Sequence, residues 1–214
     1  MLQKDKEDIM RQRKRISLMI VFIAIFGMIA GFHESRLGKW IDTEVYEWII
    51  SAKSAMVTSF LTGVTRVGEV WAMVALSLIL LSYLLIKKLH IEALFFTIVM
   101  TLSGSLNPLL KHIFDRERPT ILRLVDIGGL SFPSGHAMGS TAFFGTLCFL
   151  AHRKLKSTSR NTIIVLSTVF IALIAISRVY LGVHYPTDVL AGIACGLSCI
   201  FITQLMLYRR LHEI

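Results

Sequence analysis

Charge is scarce in this chain. Asp, Glu, Lys and Arg supply 17% of its 214 residues, while hydrophobic residues supply 54%. Soluble domains average about 25% and 45–50%. Too few polar side chains remain to coat a soluble core of that size, and there is too much apolar surface for a disordered chain to stay solvated. Glycine and proline are also few, 14 and 4 residues, which excludes collagen-like and linker-like sequences. The three cysteines, Cys148, Cys195 and Cys199, all lie in apolar runs, and an odd number at such depth provides no disulfide framework. Cys195 and Cys199 are one helical turn apart with neither His nor carboxylate beside them, a poor metal site, and read as small packing residues. Acid is the scarcer sign of charge: 14 Asp and Glu face 23 Lys and Arg, a formal net charge of +9. In a soluble protein that excess would suggest nucleic acid. Here the basic residues alternate with long apolar runs, so membrane topology explains them and no nucleic-acid partner is expected. No internal repeat, low-complexity tract or domain boundary interrupts residues 1–214, which read as one membrane-embedded domain.

Six apolar runs are long enough to span or nearly span a bilayer: 16–32, 70–86, 93–110, 137–151, 162–177 and 189–208. A spanning helix needs about 20 apolar residues. The short run at 137–151 must borrow flanking residues or sit where the membrane is effectively thin. The expected fold is therefore all-α, a polytopic membrane protein with six transmembrane helices and an extra interfacial helical segment after the first. If the runs alternate, Lys4, Lys6, Arg11, Arg13, Lys14, Arg15, Lys87, Lys88, Arg153, Lys154, Lys156, Arg160, Arg209 and Arg210 all fall on one side. By the positive-inside rule that side is cytoplasmic. This makes residues 1–15 a cytoplasmic basic tail, places both termini inside, and implies a multi-pass protein of the plasma membrane. The first run and its basic prefix have the layout of a signal peptide, but Ala30-Gly31-Phe32 is a poor cleavage site, so the run is expected to remain as a span. Residues 33–69 form the external segment. Val45, Trp48, Ile49 and Ala52 recur there at helical spacing and read either as a helix lying in the interface or as an ordinary helix packed on the bundle. Gly27-x-x-x-Gly31 and Gly192-x-x-x-Gly196 permit close helix contacts.

Ionisable groups near membrane depth are costly and mark function. Three clusters stand at run ends on the external side: 111–119, 131–136 and 177–188. Together they suit a phosphate. Lys111, Arg118 and Arg178 supply fixed positive charge, the arginines in a planar fork. Ser134 is placed as the N-cap of the fourth span, followed by Gly135, whose bare backbone allows close approach to a ligand. A helix N-terminus there aims free N–H groups at an anion, and Pro186 suits the first turn of the sixth span, so two helix N-termini are expected to face one ligand. His184 and Asp188 are four apart and share a helix face. The carboxylate fixes the tautomer and leaves the other ring nitrogen free to attack. His136, without such a partner, suits a general acid for the leaving oxygen. A nucleophile, an acid and a cationic cradle describe phosphoryl transfer through a phosphohistidine. His33, His90, His112, His152 and His212 lack such a setting and read as surface or interfacial residues. Glu69 and Asn107 near membrane depth are left without a role.

These clusters resemble the three-part signature of the type 2 phosphatidic acid phosphatase family. K-x6-R-P runs from Lys111 to Arg118-Pro119, P-S-G-H from Pro133 to His136, and S-R-x5-H-x3-D from Ser177-Arg178 through His184 to Asp188. The resemblance implies that His184 is the nucleophile, Asp188 its orienting partner and His136 the proton donor. Lys111, Arg118, Ser134, Gly135 and Arg178 would hold the phosphate. It implies no metal and no cofactor. It also implies a lipid phosphate or pyrophosphate that enters sideways from the bilayer into a pocket on the outer face. Arg116 and Arg123 read either as contacts to a second phosphate or headgroup or as solvated loop charges, the latter favoured. Transfer of the phosphate to another lipid or sugar shares the first half-reaction and stays open as an alternative. A non-enzymatic anion transporter would need polar residues along a whole pore, and the midplane stretches lack them.

Overall fold

The computed structural model describes residues 2–120, 123–125 and 127–212, and among these there is no strand. The side chains of Lys4, Arg209 and His212 lie outside the described residues. The basic prefix continues into the first apolar run as one helix, α1 (Leu2–Phe32). The external segment folds as two helices, α2 (Arg36–Ser51) and α3 (Ala55–Val67). Ser35 and Ser54 start them, their hydroxyl oxygens accepting the N–H of Gly38 and Val57, each at 3.2 Å. Such caps satisfy donors that the first helical turn leaves unpaired. The remaining helices are α4 (Val70–Ile86), α5 (His90–Phe114), α6 (Gly135–Lys154), α7 (Ser157–Tyr180), α8 (Pro186–Met206) and the short α9 (Tyr208–His212).

Among the described residues four helical stretches are long and apolar enough to cross a membrane: Asp8–Phe32 within α1, α5, α7 and α8. α3 and α4, bent by 51° at a short break, make a fifth if they count as one broken span. The expected count of six is not reached. The run at 137–151 does form a helix, α6, but Ser140, Thr141 and Thr146 lie fully buried along it. Its side chains meet neighbouring helices, and a helix enclosed in a bundle need not be as apolar as one that faces lipid.

α6 is the central element, packed between α7 and α8 with α5 alongside, and α1 lies along α8. Phe95, Met138, Ala142, Cys199 and Ile200 join α5, α6 and α8 in one apolar core, and Phe96, Phe143, Phe144 and Ile174 join α5, α6 and α7 in another. Gly192 and Gly196 bring α8 against α6: a β-carbon at these positions would stand 2.6 Å from the Ser134 carbonyl and 2.8 Å from that of Met138. The matching expectation for Gly27 and Gly31 fails, since a β-carbon there meets nothing within 4 Å. His33 is likewise not at the surface. It is 5% exposed, its Nδ1 3.0 Å from the Ala30 carbonyl and its ring stacked on Phe132 with centroids 4.5 Å apart. α6 and α8 begin, and α5 and α7 end, at the same end of the bundle, which gathers the three motifs.

Candidate active site

Lys111 near the end of α5, Arg118 in the following loop, Gly135 and His136 at the start of α6, Arg178 near the end of α7 and His184 in the α7–α8 turn all line one cavity of about 610 Å³. The long side of that cavity is apolar, formed by Val70, Met73, Val74, Leu78 and Leu81 of α4 and by Phe96 and Met100 of α5.

His184 is 1% exposed. Its Nδ1 lies 3.4 Å from Asp188 Oδ2 and 3.3 Å from Ser131 Oγ, and the Ser131 hydroxyl donates to the same Asp188 oxygen at 2.5 Å. Proton-bearing Nδ1 faces these oxygens, which leaves the lone pair of Nε2 on the cavity side. Arg118 Nη1 donates to Nε2 at 3.1 Å. Burial drives the His184 pKa down to about 4, although the Asp188 carboxylate pulls the other way. At neutral pH the ring is uncharged, so it meets Asp188 through a hydrogen bond and not an ion pair.

The charge of Asp188 is answered from behind. Arg116, 6% exposed, donates Nη1 to Asp188 Oδ1 at 2.6 Å and to Thr187 Oγ1 at 2.8 Å, and Nη2 to Asp42 Oδ2 at 2.6 Å. Its Nε lies 3.3 Å from Glu34, and its guanidinium stacks on Tyr185 at 4.1 Å. Neither sequence reading of Arg116 holds: it is not a headgroup contact and not solvated. Arg123 is exposed and turned back onto the Pro119 carbonyl, a loop charge.

The cavity-side cations are held by neutral oxygens. Arg118 donates Nε to the Gly129 carbonyl at 2.9 Å and Nη1 to that of Val183 at 2.8 Å. Lys111 donates to the Leu130 carbonyl. Arg178 Nη1 donates to Thr65 Oγ1 at 2.8 Å, while its Nε and the Nε2 of His136 are buried without a hydrogen-bond partner. Burial lowers the Arg118 pKa, and Arg123 adds repulsion against the opposing pull of Asp188.

Ser134 caps α6 as expected, its Oγ accepting the Ala137 N–H at 3.4 Å, but it is fully buried and lies outside the cavity lining. The α8 N-terminus does not face a ligand either. Asp42 Oδ1 accepts the Thr187 N–H at 2.9 Å, and Asp188 Oδ2 accepts that of Tyr185 at 2.8 Å, so internal carboxylates already occupy that end. Asn107 donates to the Pro133 carbonyl at 3.2 Å, with its Oδ1 2.9 Å from where a Gly135 β-carbon would sit, so it braces the α6 start. Glu69 opens α4 and accepts from Trp71 Nε1 at 2.6 Å.

Sequence reasoning passed over Asp42, Thr65, Gly68 and Thr187, and gave Ser131 no role. Thr65 holds Arg178, and a β-carbon at Gly68 would press to 3.0 Å on His136 Cδ2. The external segment is therefore part of the site.

The model of the PAP2 superfamily matches residues 92–211. Phosphatidylglycerophosphatase B of Bacillus subtilis is 27% identical over 193 residues, 89% of this chain and 93% of the relative. Undecaprenyl-diphosphatase of Sulfolobus acidocaldarius is 24% identical over 185 residues, 84% and 83% of the two chains. The crystal structure of a transmembrane PAP2-type phosphatidylglycerolphosphate phosphatase from Bacillus subtilis aligns with a TM-score of 0.81 at 26% identity, covering 92% of this chain and 96% of that one. The match takes in all three motif segments and the helices that carry them, and on that ground the chain belongs to the PAP2 superfamily, as one of its membrane phosphatases.

Proposed function

We propose that this chain is an integral membrane lipid phosphatase that removes the terminal phosphate of a lipid phosphate or lipid pyrophosphate through a phosphohistidine at His184. The observation that carries the proposal is the lining of the 610 Å³ cavity, with three cations and two histidines at one end and an apolar wall of α4 and α5 along its length. A phosphate monoester on an acyl or prenyl tail has the same division. The names of the relatives, a phosphatidylglycerophosphatase and an undecaprenyl-diphosphatase, support this substrate class. The concentration of Lys and Arg at the opposite end of the bundle supports an extracellular position for the pocket.

The phosphate enters against Lys111, Arg118 and Arg178. Its oxygens take the guanidinium of Arg118 from His184 Nε2, which frees the ring lone pair. The phosphate anion offsets the cations around His136, which takes up a proton as substrate binds. Nε2 of His184 then forms the N–P bond as the P–O bond to the leaving group breaks, and His136 gives that proton to the departing oxygen. Asp188 and Ser131 hold the imidazolium that develops on Nδ1. Water then attacks phosphorus with His136 as base. The N–P bond breaks and phosphate leaves.

Phosphate release from a panel of phosphatidylglycerophosphate, phosphatidate, diacylglycerol pyrophosphate and undecaprenyl pyrophosphate tests the reading. At least one lipid is expected to turn over with kcat/KM well above that of a soluble phosphate ester. Equal values would remove the lipid from the proposal, and release only when an acceptor alcohol is added would replace hydrolysis by transfer. Vanadate, a mimic of five-coordinate phosphorus, is expected to inhibit competitively.

A further inference from the structure

At the end of the bundle opposite the active site, α1, α6, α8 and α9 enclose a second cavity, of about 720 Å³. Arg11, Lys14 and Arg15 of α1 and Arg153 of α6 line it, and no carboxylate does so among the described residues. This is more than a basic rim. Lys87 and Lys88, in the turn between α4 and α5, are exposed, as the positive-inside rule alone would place them. Arg15 and Arg153 are instead half-buried between helices, Arg15 with its guanidinium 5.3 Å over the Tyr208 ring and repelled by Arg153 and Arg11. Glu92 lies 2.8 Å from Lys154 and 3.9 Å from Arg153, so it is matched by lysine first. Arg153 Nε is buried with no hydrogen-bond partner. Converging cations with an unmet buried donor call for an anion. The rest of the lining says which kind: Leu18, Phe149 and Phe201 stand beside the cations at membrane depth and offer an apolar path for chains.

We infer that this cavity binds the phosphate headgroup of an anionic phospholipid from the leaflet on the side of the chain termini, a structural lipid site separate from the catalytic pocket. Basic pockets between membrane helices bind such headgroups through this combination of charge and apolar wall.

The test uses the full-length protein in zwitterionic detergent–phosphatidylcholine micelles. Its apparent Tm is measured with added phosphatidylglycerol, with further phosphatidylcholine, and with inorganic phosphate at matched ionic strength. Phosphatidylglycerol is expected to raise the Tm by about 3 °C or more, and the other two by less than half as much. The Arg15→Gln/Arg153→Gln double variant is expected to lose that rise while keeping its phosphatase activity. Lys14→Gln, at an exposed position and safe for folding, is expected to reduce it. A rise that survives in the variants places the lipid elsewhere, for example in the catalytic pocket, and overturns the inference. An equal rise with phosphatidylcholine, or with inorganic phosphate, overturns it as well, because neither requires an anionic headgroup.

Discussion

The imidazole of His184 separates two regions that handle charge in opposite ways. Behind it, Asp188 and Asp42 meet Arg116 at 2.6 Å each, and Thr187, Tyr185 and Ser131 fill the remaining hydrogen-bonding positions. In front of it, Lys111, Arg118 and Arg178 rest on carbonyl and hydroxyl oxygens and, for Arg118, on His184 Nε2 itself. In the back region each carboxylate of Asp188 and Asp42 meets Arg116 and further hydroxyl or N–H donors, so it holds its shape without a ligand. Among the described residues the front cations form no ion pair with a carboxylate, and in the proposed reaction a substrate phosphate takes that place. Rigidity and affinity are thus assigned to different arginines only two residues apart in the sequence, Arg116 and Arg118.

That contrast can be broken in order of effect. His184→Ala removes the attacking nitrogen and is expected to cost about 10⁴-fold or more in kcat. Residual turnover above one hundredth of the parent rate would sink the covalent path. Asp188→Asn, which lets the ring adopt the wrong tautomer and strands Arg116, is expected to cost about 10³-fold. Arg178→Gln and Arg116→Gln then separate the two regions. The first is expected to cost about 10²-fold in kcat/KM with no loss of apparent Tm, because it removes a buried charge that lacks an anionic partner. The second is expected to destabilise by about 3–5 kcal/mol, because two carboxylates are left buried, with a smaller, roughly 10-fold effect on kcat. Equal losses of Tm in both variants would erase the distinction between front and back.

The pH profile sharpens the same comparison. Because burial holds the His184 pKa near about 4 in the free enzyme, Nε2 stays unprotonated down to that pH. The acidic limb of kcat/KM due to this group is therefore expected near pH 4 and not near its ordinary value of 6.5. The sign for stability follows. Between 6.5 and about 4 the unfolded chain takes up a proton that the native ring refuses, so the native state loses stability as pH falls through that window. The smallest effect is expected at Gly68, where Gly68→Ala pushes on His136 and should lower kcat by about 3–10-fold. An unchanged kcat would show that His136 has room to shift.

Local spacing made much of this site legible. The i,i+4 spacing of His184 and Asp188 put them on one turn, a serine ahead of Gly135 marked the start of α6, and a proline at 186 marked the start of α8. The partners that fix the site were not legible. Arg116 meets Asp188 across 72 residues and Thr65 meets Arg178 across 113, and no short-range pattern records such pairings. The bend between α3 and α4, which brings Gly68 onto His136, was read as a plain external segment because its apolar spacing shows a helix without showing where the helix turns.

By itself the amino-acid sequence determined the helical class, the apolar runs and the three motifs that carry the groups proposed to react, since hydrophobic period and i,i+4 spacing are properties of a short stretch of chain. Only the tertiary structure decided which arginine answers Asp188 and which is left for the substrate. That choice depends on which side of a buried imidazole each guanidinium reaches, and it is set when helices distant in the chain pack together and exclude water from between them.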